Sequence, residues 1–106
     1  MFMELTQHAG VDRADRIMKI CQTIGMGEIV KVFPARNNYG PTEWCVTDTG
    51  ILIVRVAGTN QMITAYALRE WQLVKLYHSY GIERVPKRLI SVVCNNEKKR
   101  KYLYKN

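Results

Sequence analysis

The spacing of apolar residues changes period twice along this chain, and that limits the folds open to it more than any other feature. From Asp12, residues Ala14, Ile17, Met18, Cys21 and Ile24 recur at steps of three and four, the period of a helix with one buried face. Asp12 can cap that helix, Asp15 suits the positive end of its dipole, and Gly25 and Gly27 supply a stop. The period then becomes two through Glu28 to Phe33, Thr42 to Asp48, Ile51 to Val56 and Gln61 to Ala67, which read as four strands. Asp48-Thr49-Gly50 and Ala57-Gly58-Thr59-Asn60 are short glycine-containing connections that imply hairpins, whereas Ala35 to Pro41 reads as a true loop. Helical spacing returns before Gly81, where Trp71, Val74, Tyr77 and His78 share one side with Leu73, Leu76 and Tyr80 close by. A third helix is expected from Pro86, carrying Leu89, Val92 and Val93 inward.

This pattern predicts an α+β fold: an N-terminal helix, a four-stranded antiparallel meander sheet and two C-terminal helices, in a single domain of residues 1–106. A chain of 106 residues has room for one core, burying roughly 60–70% of its unfolded surface. Cys21, Cys45 and Cys94 are odd in number and lie in apolar surroundings, which suits reduced, buried thiols. The first residues lack the layout of a signal peptide, and no apolar run approaches the ~18 residues of a membrane span. A cytoplasmic location without membrane partners is therefore expected.

A two-residue turn at Thr49-Gly50 would set Trp44, Val46 and Asp48 opposite Arg55, Ile53 and Ile51, with Met62, Thr64 and Tyr66 on the same face. Cys45, Leu52, Val54, Val56, Ile63 and Ala65 would then form the face packed by helices, leaving the other face open. On that open face Trp44, Arg55, Thr64 and Tyr66 could hold a phosphate and stack a base. The plainer alternative lays Arg55 over Trp44 as a cation–π pair worth about 0.5–1 kcal/mol.

Charge supplies the main functional signal. From Glu83 onward, Arg84, Lys87, Arg88, Lys98, Lys99, Arg100, Lys101 and Lys105 face only Glu83 and Glu97, so this segment holds most of the chain's net +7. A near-neutral body with a basic segment points to a polyanion, most often nucleic acid, because Lys and Arg near phosphates release condensed counterions. Lys87 and Arg88 in the first turn of a helix oppose its dipole, a cost that a bound anion would reverse; two solvated side chains would also explain them. Lys98, Lys99, Arg100 and Lys101 suit a helix C-terminus, yet four consecutive cations repel one another, which favours nucleic-acid contact over a merely solvated face. Arg36 and Tyr39, in the segment read as a loop, are further candidates for contacting a nucleic acid. His8 and His78 have no partner at a recognisable spacing, and the chain has no paired carboxylates, CxxC, HExxH or glycine-rich phosphate loop. Neither a metal nor another cofactor is expected.

Residues His8 to Tyr66 resemble the small bacterial toxin ribonucleases of the barnase, EndoU and RelE-like kind, through Thr6-Gln7-His8-Ala9, a following helix with Arg13 and Arg16, and a last strand bearing Thr64 and Tyr66. The resemblance implies metal-independent cleavage of RNA through its 2′-hydroxyl, with His8 in an acid/base role, Arg55 on phosphate, and Thr64 and Tyr66 positioning. It also ranks RNA ahead of DNA as ligand. The chain departs from that family by adding about forty residues after the sheet. Its C-terminal part, from Ile63 to Lys101, resembles small uncharacterised proteins of phages and other mobile elements. That likeness implies an alternative without catalysis, an inhibitor or adaptor binding the acidic surface of a host or defence protein.

Overall fold

The computed structural model describes residues 4–5 and 10–99, with side chains from residue 15 to residue 99. Its architecture is the α+β arrangement expected from periodicity: helix α1 (Gly10–Thr23), an antiparallel meander of β2 (Ile29–Asn37), β3 (Gly40–Thr47), β4 (Ile51–Val56) and β5 (Gln61–Ala67), then helices α2 (Glu70–Ser79) and α3 (Lys87–Lys98). A two-residue strand β1 (Glu4–Leu5) adds in parallel beside β5, so the sheet has the order β1-β5-β4-β3-β2. No helix among the described residues is long and apolar enough to cross a membrane.

Helix α1 starts at Gly10, so Asp12 lies within it rather than at its cap. Its buried stripe is centred on Ile17 and Ile20, with Ile24 packed behind them; Met18 and Cys21 are exposed. Each residue turns a helix by about 100°, which carries Met18 off the stripe and Cys21 to its flank. Of the three thiols, only Cys45 is fully buried.

The segment Ala35 to Pro41, expected to be a loop, is mostly strand. The β2–β3 ladder continues through Ala35 with Thr42, Arg36 with Pro41 and Asn37 with Gly40, turning at Asn38-Tyr39. Asn37 Oδ1 accepts the Tyr39 N–H at 2.8 Å, a side chain standing in for part of a backbone turn. Pro34 is tolerated inside β2 because this is an edge strand, where a missing N–H costs less.

The expected β3–β4 register is displaced by one residue. Trp44 pairs with Val54, Glu43 with Arg55, Cys45 with Ile53 and Val46 with Leu52, because the turn has three residues, Asp48-Thr49-Gly50, instead of two. Gly50 supplies the left-handed backbone such a turn needs, at φ +82°. A one-residue slip moves every side chain of a strand to the other face. Arg55 therefore shares a face with Glu43, Cys45, Ile53 and Met62, while Trp44 lies with Val46, Leu52, Val54, Thr64 and Tyr66. A bulge at Ile63 keeps Met62 and Ala65 on the Arg55 face.

Both faces of the sheet are packed, not one. Helix α1 sets Ile17 and Ile20 against Cys45, Ile51, Ile53, Met62, Ala65 and Ala67. The α2–α3 pair sets Leu73, Leu76, Tyr77, Leu89 and Val93 against Phe33, Val46, Leu52 and Leu68 on the opposite face. Three consecutive residues of β4, Ile51, Leu52 and Ile53, are accordingly buried, as expected for a central strand covered on both sides.

The Asp48-Thr49-Gly50 turn is the point where the two layers join. Asp48 Oδ1 accepts the Glu28 N–H at 3.0 Å, and Thr49 Oγ1 donates to the Gly25 carbonyl at 2.8 Å, fixing the α1–β2 connection. With that proton engaged, Thr47 is the donor in its 3.0 Å bond to Thr49 Oγ1. From the other layer, buried Asn96 of α3 donates its amide to the Thr49 carbonyl at 2.7 Å, and Leu68 N–H donates to the Gly50 carbonyl at 3.0 Å. A Cβ on Gly50 would lie 2.8 Å from Asn96 Nδ2 and 3.0 Å from Val93 Cγ2. Gly50→Ala should therefore lower stability by about 1–3 kcal/mol, combining backbone strain with displacement of α3. Urea unfolding monitored by circular dichroism measures this as a lower midpoint; an unchanged midpoint would refute it.

Candidate functional site

Among the described residues, a candidate site is a groove between α2 and the Trp44 face of the sheet. Its volume is about 440 Å³, within the roughly 300–1,000 Å³ of small-molecule clefts. Trp44, Leu52 and Tyr66 from three adjacent strands form the floor, and Trp71, Gln72, Lys75, Leu76, Ser79 and Tyr80 form the helical wall. Trp71, Lys75 and Ser79 recur every four residues and so stand in one row along α2. The opposite side of the helix supplies Leu73 and Tyr77 to the core. Trp71 is 58% exposed and Trp44 37%, values that leave much of both indoles open to a ligand.

The wall is held at both ends. At its start, Gln72 accepts the Arg69 N–H at 2.9 Å, while Glu97 of α3 accepts the Glu70 N–H at 2.6 Å. These carboxylate and amide oxygens satisfy amides that an α-helix leaves unpaired. At its end Gly81, φ +79°, turns the chain: its N–H reaches the His78 carbonyl, and Ile82 N–H reaches that of Tyr77. Tyr80 stacks at a tilt on Phe33, 4.6 Å between centroids, and donates its hydroxyl to the Pro34 carbonyl at 2.5 Å.

The groove is rich in donors and lacks carboxylates. The indole N–H groups of Trp44 and Trp71 and the Lys75 ammonium have no hydrogen-bond partner among the described residues. Gln72 uses its carbonyl oxygen on Arg69, which leaves its amide as a donor. Ser79 donates to the Lys75 carbonyl at 2.6 Å, so its oxygen can only accept. Such a lining suits a flat, acceptor-rich, anionic molecule and disfavours an organic cation, for which an aromatic cage would omit the lysine.

Cations border the same helical pair. Arg84 and Lys87 line a shallow hollow where α2 gives way to α3, and exposed Arg88 follows them. Exposed Lys98 and Lys99 end α3, roughly 16 Å along its axis from Lys87. None of Lys75, Arg84, Lys87, Arg88, Lys98 or Lys99 forms an ion pair among the described residues, where Arg55–Glu43 is such a pair.

The residues nominated from sequence are thus sorted by the fold. Trp44 and Tyr66 meet in the groove, and Thr64 shares their face. Arg55 does not join them: it is on the α1 face, with its Nε 3.0 Å from Glu43 Oε1. Arg36 lies on the α1 side of edge strand β2, and Tyr39 is 79% exposed at the tip of the β2–β3 hairpin, so neither borders the groove. His8, Arg100 and Lys101 lie outside the described residues. Trp71, Lys75 and Tyr80 complete the groove without having been nominated. Their signal was an α2 with more aromatic residues than one buried stripe can accommodate.

Cys45 is buried on the face that carries the Arg55–Glu43 pair, two residues along β3 from Glu43. Burial pushes its thiol up from 9.0, the nearby Arg55 only partly opposing this and Glu43 adding to it, so the thiolate is disfavoured. The folded state then holds the proton more tightly than the unfolded chain, so this contribution is intact below pH 9.0 and is lost as pH rises through the higher folded value. Cys45→Ala should lose less stability than the parent chain between pH 9.0 and more alkaline solution, measured by urea midpoints across that range. Equal slopes would refute the assignment. Compared with known proteins, the chain matches no protein-family model, no curated protein and no solved structure.

Proposed function

We propose that this protein is a small nucleic-acid-binding module, with RNA ranked ahead of DNA, that meets the phosphate backbone with the cations of its α2–α3 pair. The observation that carries this reading is that Arg84 and Lys87 beside the start of α3, Arg88 after them, and Lys98 and Lys99 at its end have no ion-pair partner among the described residues. Lys87 and Arg88 in the first turn of α3 oppose its dipole at a cost to the fold, and such cations gain energy when counterions leave a polyanion. Three free thiols accord with a reducing compartment such as the cytoplasm, where RNA is abundant.

The proposal stops at binding. Cleavage by general acid and base needs two positioned groups, and Arg55, given the phosphate role by the ribonuclease resemblance, is ion-paired on the face opposite Thr64 and Tyr66. The inhibitor alternative shares the same charges, so the experiment must separate the two.

About five phosphate contacts should reduce affinity for RNA by roughly two to three orders of magnitude between 50 and 200 mM salt. Replacing Lys87, Arg88, Lys98 and Lys99 with Gln should weaken binding and flatten that salt slope, whereas Arg55→Gln should leave it nearly unchanged. Fluorescence anisotropy with labelled RNA measures both. Absence of binding at 50 mM salt, or capture of one stoichiometric protein from lysate undiminished by nuclease, would overturn the reading.

A further inference from the structure

We infer that the groove between α2 and the sheet receives an unpaired nucleotide of a single strand, its base against the Trp44 and Trp71 rings and its phosphate on Lys75. This rests on the nucleic-acid reading above and assigns it a strand preference that the α3 cations alone would not produce. Those cations meet phosphates, which single strands and duplexes both present. The groove adds aromatic ring surface lining a cleft between a helix and a sheet, which suits a base that has left its stack.

Three features of the groove select this ligand. Both tryptophans keep large exposed areas at fixed positions, and neither makes a ring contact or a hydrogen bond among the described residues. Most polar groups left over in the lining are donors, namely two indole N–H groups, the Gln72 amide and the Lys75 ammonium, with the Ser79 oxygen as an acceptor. Base edges carry ring-nitrogen and carbonyl acceptors, and the phosphate supplies the negative charge that Lys75 lacks. The volume of about 440 Å³ accommodates one nucleotide rather than a stretch of strand.

The test uses the full chain and compares a single-stranded RNA of about ten nucleotides, a blunt duplex of the same sequence and a nucleoside monophosphate. Binding is read by tryptophan fluorescence and by anisotropy at low salt. The single strand should quench the tryptophans and bind at least tenfold tighter than the duplex. Trp71→Ala should lose at least tenfold in single-strand affinity and leave duplex affinity unchanged. Because the Trp71 side chain is largely exposed, the variant should keep its fold; Lys75→Gln, at another exposed position, should weaken the single strand severalfold and lower its salt slope by about one contact. Equal affinity for strand and duplex, together with an inert Trp71→Ala, would overturn this inference and leave general nucleic-acid binding standing. A monophosphate binding as tightly as the oligonucleotide would also overturn it, assigning the groove to a free nucleotide. No binding to any of the three would remove the nucleic-acid reading itself.

Discussion

The Asp48-Thr49-Gly50 turn is where the sheet, α1 and α3 are fastened to one another. From beyond its own hairpin, hydrogen bonds link its three residues to Gly25, Met26 and Glu28 on one side and to Leu68 and Asn96 on the other. These partners are remote in sequence, so each bond joins segments that loop closure would otherwise keep apart. Gly50 permits this in two ways. Its positive φ closes the turn in three residues, and its missing Cβ lets Asn96 and Val93 approach. A larger residue would disturb the strand register and the seat of α3 together.

Register then decides which chemistries can meet. With three residues in the turn, Arg55 falls beside Glu43 and is neutralised on the α1 face. Trp44 falls beside Leu52 and Tyr66 and becomes floor for the groove under α2. A two-residue turn would have placed arginine and tryptophan together, offering a phosphate and a base a shared platform. The fold instead separates them by the thickness of the sheet, and the cation that lines the aromatic groove comes from a helix, as Lys75.

What the sequence disclosed follows from how many residues each signal uses. Element order and type were legible because a period of two or of 3.6 is repeated over whole segments, and local slips do not erase it. Face assignment was not, because it depends on one turn residue. The glycine in third place of Asp-Thr-Gly was the available clue, since a left-handed residue there makes a three-residue hairpin. Burial of both faces was also written in β4, whose Ile51-Leu52-Ile53-Val54 run is too uniformly apolar for a half-solvated strand. The groove was half legible: Trp44 and Tyr66 are ordinary strand aromatics until the register is known, and Trp71 resembles another core residue of α2. Only contacts distant in sequence reveal that Trp71 faces away from Tyr77 and across from Trp44.

The two ends of α2 explain why such a groove can stay open in a chain this small. An indole exposed on a mobile helix would fold down onto the sheet and bury itself, since burying a large aromatic side chain is worth about 1.5–3 kcal/mol. That collapse is opposed at the N-terminus by the bonds from Gln72 and Glu97, and at the C-terminus by the Gly81 turn and the Tyr80–Pro34 bond. Because α3 contributes Glu97 and is itself fastened to the Asp48-Thr49-Gly50 turn through Asn96, the position of the groove wall depends on the same turn that sets the floor register. Wall and floor are thus tied to one another through the same set of contacts. A base entering between them would meet surfaces already in place, so little conformational entropy would have to be lost on binding.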